Sequence, residues 1–198
     1  MNFPNDQAGP FIFAHRGASA HAPENTLAAF ELAVESGAHG IELDVKLSAD
    51  NKVIVLHDQT VDRTTDGFGD VRTLLSSTLR ELNASHHFPG QYPIQHVPTL
   101  DEVIELVGQR TYFNFELTNL STPRDELPDR VGEAIVHHGI EDRVLISSFL
   151  HLNIKRIKEL LPEIPVAILA FSGLPGAAAR SAFGRRRSPF IIHPHHSD

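Results

Sequence analysis

Short apolar segments alternate with amphipathic segments along this chain of 198 residues, and this alternation limits the possible folds more than any other feature. The apolar segments are rich in β-branched and aromatic residues and end at turn residues, which is typical of strands. Segments with helical periodicity separate most of them, so the pattern favours a parallel sheet covered by helices. The predicted strands are 11–14, 40–47, 53–57, 111–117, 143–148, 165–170 and 189–193, and the predicted helices are 25–36, one that starts at Thr99, 127–138 and 151–161.

The first strand–helix turn separates two architectures for such a sheet. An open dinucleotide-binding sheet has a glycine fingerprint at this turn. This chain has His15, Arg16 and Gly17 there instead. Polar residues also end several other strands, and enzymes built on a TIM-type (β/α) barrel assemble their sites at that rim. The sequence therefore predicts an α/β fold of the TIM-barrel type.

The segment 58–98 interrupts the alternation of strands and helices. It is too long for an ordinary loop between a strand and a helix, and it contains several turn clusters and one short helical patch at 77–83. We interpret it as a small insertion that covers the mouth of the site. Residues 1–198 are otherwise predicted to form a single domain.

Composition excludes several classes of function. The chain contains no cysteine, which rules out disulfides and thiolate metal sites and favours a cytoplasmic location. A formal net charge of -8 argues against nucleic acid as a partner. No apolar run approaches the ~20 residues of a membrane helix, so membrane insertion is not expected.

Three carboxylates lie on apolar strands. Glu42 and Asp44 are two residues apart, so both point to the same side of their strand, and Glu116 lies on another strand. They could face solvent on edge strands. If the sheet is buried on both faces, however, they need a cation, and an all-oxygen ligand set suits Mg²⁺ or Ca²⁺.

His15 and His57 each close an apolar strand, so in a barrel both side chains reach the same rim. A single histidine at such a position is more often structural than catalytic. Two histidines beside three acids and Arg16 favour chemistry, because imidazoles titrate near neutrality and can share the roles of acid and base. A metal ion and an arginine together can neutralise a phosphate.

The chain resembles the glycerophosphodiester phosphodiesterase family. The resemblance runs through AHRGASAHAPENTLAAF, GAHGIELDVKLSADNKVIVLHDQTVDRTTDG, VPTLDEV, FNFEL and ISSF, which together extend over nearly the whole chain. It implies a metal bound by Glu42, Asp44 and Glu116, an acid–base pair of His15 and His57, and a substrate phosphate held by Arg16. Asn25 is expected to cap the first helix, with contact to the substrate as the alternative, and Asn114 is expected to support the metal ligands.

Two departures from the family pattern bear on the site and the fold. Family members often have a lysine two residues after the glutamate of FNFEL, and this chain has Thr118 there. The family barrel has eight strands, whereas seven are predicted here, so the C-terminal part of the barrel is expected to be truncated. Exposed strand edges would then favour a longer natural chain or a homo-oligomer.

Three functions are compatible with these residues. The first is metal-dependent hydrolysis of a soluble glycerophosphodiester to glycerol 3-phosphate and an alcohol. The second is a lysophospholipase D-like or sphingomyelinase D-like activity, which would need more apolar surface around the site than segment 58–98 offers. The third is a non-catalytic barrel that binds a phosphodiester, for which Thr118 and the absent strand argue.

Overall fold

A computed structural model describes residues 11–90 and 92–170, together with the backbone of 191–193. The described residues form seven strands and five α-helices, which follow one another in the chain order that the sequence predicts. The strands are β1 (Phe13–His15), β2 (Gly40–Leu47), β3 (Val53–Val55), β4 (Tyr112–Leu117), β5 (Val144–Ser148), β6 (Val166–Leu169) and β7 (Ile191–His193). The helices are α1 (Leu27–Glu35), α2 (Ser76–Glu81), α3 (Leu100–Val107), α4 (Leu127–His138) and α5 (His151–Leu160).

Six of these strands form a parallel series with the hydrogen-bonded order β1-β2-β4-β5-β6-β7. Every residue of β2 is buried, because the strand has a neighbour on each side and the sheet is covered on both faces. This burial explains the apolar character of GIELDVKL and makes its charged residues conspicuous. The predicted helix-covered parallel sheet is confirmed.

Segment 53–57 has a different role from the one predicted. It was expected to be a member of the parallel series, but β3 pairs with β2 in the antiparallel direction and lies off the main path. Only residues 48–52 connect the two strands. A parallel crossover needs about a dozen residues, so a connection this short permits only a hairpin. The parallel series described here therefore has six strands and not seven.

The core lies between the sheet and the helices. Phe113 and Phe115 of β4 and Phe30 of α1 are fully buried in one large apolar cluster with the inner faces of α3, α4 and α5. Thr26 is the N-cap of α1 and accepts a hydrogen bond from the backbone N–H of Ala29. The prediction that Asn25 caps this helix is therefore wrong.

Segment 58–98 has an apolar cluster of its own. Val61, Val71, Leu79 and Val97 are buried together with Ile54 of β3, apart from the main core. This cluster anchors the segment to β3 and so to the edge of the sheet where β2 and β4 end. In the part of the chain that the structure describes, no helix is long and apolar enough to cross a membrane.

Candidate active site

Three carboxylates meet at the C-terminal end of the parallel strands. Glu42 and Asp44 lie on the same face of β2 because side chains alternate along a strand. The register places Asp44 opposite Glu116 of β4. One ligand atom of each carboxylate lies within 4.8 Å of the other two, so the three groups form a cluster that could hold a metal ion. The expected convergence of these side chains is therefore observed.

Burial and mutual repulsion make this acid cluster electrostatically costly. Glu42 is 7% exposed and Asp44 is 1% exposed. Burial, followed by the charges of Asp44 and Glu116, raises the pKa of Glu42 to about 9. Burial and the charge of Asp44 raise the pKa of Glu116 to about 7. The cluster therefore favours any partner that brings positive charge, whether a proton or a cation.

Unpaired oxygen atoms surround the cluster. Glu42 Oε1, Asn25 Oδ1 and Asn114 Oδ1 are buried without a hydrogen-bond partner among the described residues. Asn114 lies directly opposite Glu42 in the β2–β4 register. Buried polar atoms are normally paired, so unpaired oxygens beside three carboxylates are suited to bind a cation or a water. Such an all-oxygen set fits a hard divalent cation.

Arg16 is held against the acid cluster from the β1 side. Its backbone N–H donates to Glu42 Oε2 at 3.1 Å, and its Nε lies 3.4 Å from Asp44 Oδ2. Asn25 donates from Nδ2 to Asp44 Oδ2 at 3.0 Å. Arg16 and Asn25 both have positive φ, at 59° and 56°, and Asn25 N donates to Arg16 O. Two residues with a left-handed backbone conformation are thus linked by a hydrogen bond at the site. Backbone strain of this kind is found most often at functional sites.

His15 lies beside the acids at the end of β1, and His57 lines the same cavity as Glu116. His15 pairs with Glu42 in the β1–β2 register, and its Nε2 lies 3.8 Å from Glu42 Oε2. Partial burial and then the charge of Arg16 lower the pKa of His15, and the charge of His57 acts in the same direction. His57 Nδ1 lies 2.6 Å from Asp58 Oδ1, which leaves its Nε2 directed away from this carboxylate.

A chain of ion pairs joins the His57 side of the site to the Arg16 side. Arg63 contacts Asp58, the partner of His57, through Nε. The same guanidinium donates to both oxygens of Glu24, at 2.9 and 2.7 Å, and Glu24 accepts from Arg16 Nη1 at 3.0 Å. Although burial opposes the shift, the hydrogen bonds from Arg63 and His57 lower the pKa of Asp58 to about 2. Asp58 therefore stays ionised as the partner of His57.

A cavity of about 430 Å³ opens next to Glu116 and His57. Gln59, Asp70 and Arg72 of segment 58–98 contribute to its wall, so the segment does border the site. Lys46 also lines the cavity, and burial lowers the pKa of its ammonium to about 8.

Sequence reasoning missed four residues of this arrangement: Glu24, Lys46, Asp58 and Arg63. Lys46 could have been found, because it continues the alternation of Glu42 and Asp44 on β2. The contact between Arg63 and Glu24 spans 39 positions, and no local pattern points to it.

Gly17 allows the turn between β1 and α1 to close. It has a φ of 78°, and a Cβ atom at this position would lie 2.7 Å from the backbone carbon of Ala29. We expect Gly17→Ala to destabilise the fold by the cost of the left-handed conformation, about 1–2 kcal/mol, plus about 1–3 kcal/mol for the clash. Denaturant unfolding followed by circular dichroism measures this loss.

Gly37 provides a matched control for this prediction. Its φ is 83°, but nothing lies within 4 Å of the position that a Cβ would take. Gly37→Ala should therefore show the conformational cost alone. Equal losses for the two variants would contradict a steric role for the close approach of Gly17 to α1.

Comparison with known proteins identifies the family to which this chain belongs. The model of the glycerophosphoryl diester phosphodiesterase family matches residues 15–184. The chain belongs to this family. It is 39% identical over 164 residues to a glycerophosphodiester phosphodiesterase of Caldanaerobacter subterraneus subsp. tengcongensis, covering 82% of this chain and 68% of the relative. It is 44% identical over 160 residues to an enzyme of that name from Bacillus altitudinis, covering 80% and 65%.

Solved structures show how this sheet relates to the family fold. A phosphodiesterase of Oleispira antarctica, solved in complex with the product sn-glycerol-3-phosphate, matches with a TM-score of 0.82 and 31% identity. The match covers 95% of this chain and 76% of that one. A glycerophosphodiester phosphodiesterase of Agrobacterium tumefaciens matches with a TM-score of 0.79 and 32% identity, covering 93% and 76%.

Such structures are TIM-type barrels, so the parallel sheet described above is part of a barrel of this type and the predicted fold class is confirmed. The chain spans about two thirds of the length of the curated relatives that it matches.

Proposed function

We propose that this chain hydrolyses a glycerophosphodiester to sn-glycerol 3-phosphate and an alcohol. The observation that carries the proposal is the acid cluster of Glu42, Asp44 and Glu116, which lies beside His15 and Arg16 and borders the cavity that His57 lines. The family to which the chain belongs and the product bound in the Oleispira antarctica structure support this reaction.

We propose Mg²⁺ or Ca²⁺ as the ion that Glu42, Asp44 and Glu116 bind. Three carboxylates converge here, burial raises the pKa values of Glu42 and Glu116, and Glu42 Oε1 has no hydrogen-bond partner among the described residues. These features fit a hard divalent cation. When bound, such a cation would offset the charge of the acids and stabilise negative charge that develops on the phosphate oxygens. Asn25 and Asn114, whose buried oxygens are also unpaired, would complete the polar surroundings of the ion.

His15 and His57 are proposed as the acid–base pair. In the mechanism that the family resemblance implies, a glycerol hydroxyl attacks phosphorus, the headgroup alcohol leaves, and water then opens the cyclic phosphate. The lowered pKa of His15 keeps its ring neutral near pH 7, which suits the base that takes the hydroxyl proton. His57 would donate the proton to the leaving alcohol from Nε2, while Asp58 holds its Nδ1–H.

Arg16 is proposed to hold a phosphate oxygen. Ion pairs with Glu24 and Asp44 hold its guanidinium in place, whereas the side chain of an isolated surface arginine is flexible. Fixed positive charge at this place costs no reorganisation when the pentacoordinate phosphate forms.

The substrate is proposed to be a water-soluble diester. Apart from Leu117, Leu120 and Phe149, the residues that line the cavity are polar or charged. Lysophospholipase D-like and sphingomyelinase D-like activities would need room for acyl chains, and the relatives compared above are named for the glycerophosphodiester reaction. The cytoplasmic location, the absence of a nucleic-acid partner and the homo-oligomer stay predictions; light scattering tests the last of these.

Release of glycerol 3-phosphate from glycerophosphocholine tests the proposed function. Activity is expected with Mg²⁺ or Ca²⁺, and exhaustive chelation should abolish it reversibly. Lysophosphatidylcholine and sphingomyelin serve as parallel substrates and should be cleaved much more slowly. Full activity after chelation would refute the metal role, and failure to cleave any diester in either metal would refute the enzyme.

A further inference from the structure

Lys46 is a buried cation that the mechanism above does not use. It is 5% exposed and follows Glu42 and Asp44 on the same face of β2. Its Nζ donates to the backbone carbonyls of His57 and Asp58, both at 2.7 Å. Within the described part of the chain, no carboxylate oxygen lies within 4.0 Å of this ammonium group. A buried charge without a direct counter-ion is costly and therefore uncommon.

The position of Lys46 directs it toward the substrate cavity. The β2–β4 register pairs Asp44 with Glu116 and Val45 with Leu117, so the next step along the strands brings Lys46 beside Thr118. Lys46, Glu116 and Thr118 all line the same cavity. Lys46 thus lies two residues beyond Asp44 on β2, next to the acid cluster.

The hydrogen-bonding capacity of Lys46 is not exhausted. An ammonium group has three N–H donors, and the two carbonyls of His57 and Asp58 account for two of them. Thr118 offers no comparable group, because its hydroxyl donates to the backbone oxygen of Val45 at 3.0 Å. An anion in the cavity would accept a hydrogen bond from the remaining N–H donor of Lys46.

We propose that Lys46 binds a phosphate oxygen of the substrate from the β2 side of the cavity. The inference rests on the proposed function and goes beyond it, because it assigns a second phosphate-binding cation in addition to Arg16. Lys46 thereby supplies from β2 the positive charge that Thr118 does not supply from β4.

The competing explanation is that Lys46 only holds the backbone that carries His57. Two variants separate the roles. Lys46→Gln removes the charge but keeps an amide that can donate to a carbonyl. Adding Thr118→Lys to that variant returns a cation to the same cavity from the neighbouring strand, without restoring the contacts to His57 and Asp58.

Calorimetric binding of sn-glycerol 3-phosphate is the measurement, with glycerol as the neutral control. Lys46→Gln is expected to weaken binding of the phosphate by about 10- to 100-fold, the usual range for a lost hydrogen bond to a charged group, and to leave glycerol binding unchanged. The double variant should regain most of the lost affinity. A purely structural lysine predicts no recovery, so equal affinities of the single and double variants would overturn the proposal.

Two further outcomes distinguish a failure of this inference from a failure of the proposed function. Normal product binding by both the wild type and Lys46→Gln overturns the inference alone. A wild type that binds no glycerol 3-phosphate and cleaves no diester overturns the proposed function and this inference with it. The single variant Thr118→Lys covers the case in which Lys46→Gln does not fold, because it keeps the contacts of Lys46. It is expected to tighten phosphate binding. Unchanged binding would show that the phosphate binds elsewhere and would overturn the proposal.

Discussion

Alanine at His15 or at His57 is expected to lower kcat for glycerophosphocholine by roughly 10²–10⁴, the usual contribution of a positioned proton carrier. His15 lies beside the acid cluster, and His57 lines the same cavity as Glu116. Asp58 and Arg63 fix the orientation of His57. Steady-state kinetics at saturating metal measure the loss, and circular dichroism checks that each variant folds.

His151→Ala provides the matched control, because His151 is exposed at the start of α5. It should leave kcat unchanged. The double variant of His15 and His57 should lose less than the product of the two single losses, since the pair acts as one unit. A wild-type pH–rate profile that stays flat from about pH 5 to about pH 9 would exclude both as acid–base catalysts.

Metal-free protein is expected to lose stability as the pH rises from about 4.5 to about 9. In this window the folded state holds protons on Glu42 and Glu116 that the unfolded chain releases, because their folded pKa values are raised to about 9 and about 7. Stability falls wherever the folded state binds more protons than the unfolded one. Thermal unfolding of chelated protein across this pH range measures the decline.

Mg²⁺ or Ca²⁺ should reverse this loss. At 100 times its Kd, a ligand of the folded state alone stabilises it by about 2.7 kcal/mol, which corresponds to a rise in Tm of roughly 5–11 °C for a chain of this size. Glu42→Gln should reduce both the pH dependence of stability and the rise in Tm on metal binding. Glu81 is an exposed acid at the end of α2, so Glu81→Gln should leave both unchanged. An equal rise in the Glu42 variant would show that the ion binds elsewhere.

Local patterns in the sequence predicted much of the fold and of the acid cluster. Alternation along GIELDVKL placed Glu42 and Asp44 on one face, and the apolar surroundings of Glu116 identified a second buried strand. Both patterns depend only on the period of a strand, which neighbouring residues determine. The antiparallel direction of β3 was also within reach, because the connection 48–52 is too short for a crossover.

Other features depend on where distant segments meet. Asn25 looked like a helix cap, but the tight turn after β1 brings its amide to Asp44 and leaves Thr26 to begin α1. Arg63 reaches Glu24 only because the small apolar cluster under segment 58–98 anchors that segment to β3.

The sequence by itself thus determined the helix-covered parallel sheet, the shared face of the β2 carboxylates and the position of His15 at the end of β1, since these follow from short-range periodicity and strand ends. The position of His57 does not follow in this way, because β3 runs antiparallel to β2. The tertiary structure alone decided the register between β2 and β4. That register brings Glu116 to Asp44 and Lys46 beside Thr118, because the pairing of strands more than 60 residues apart is decided by packing of the whole core and not by any local pattern.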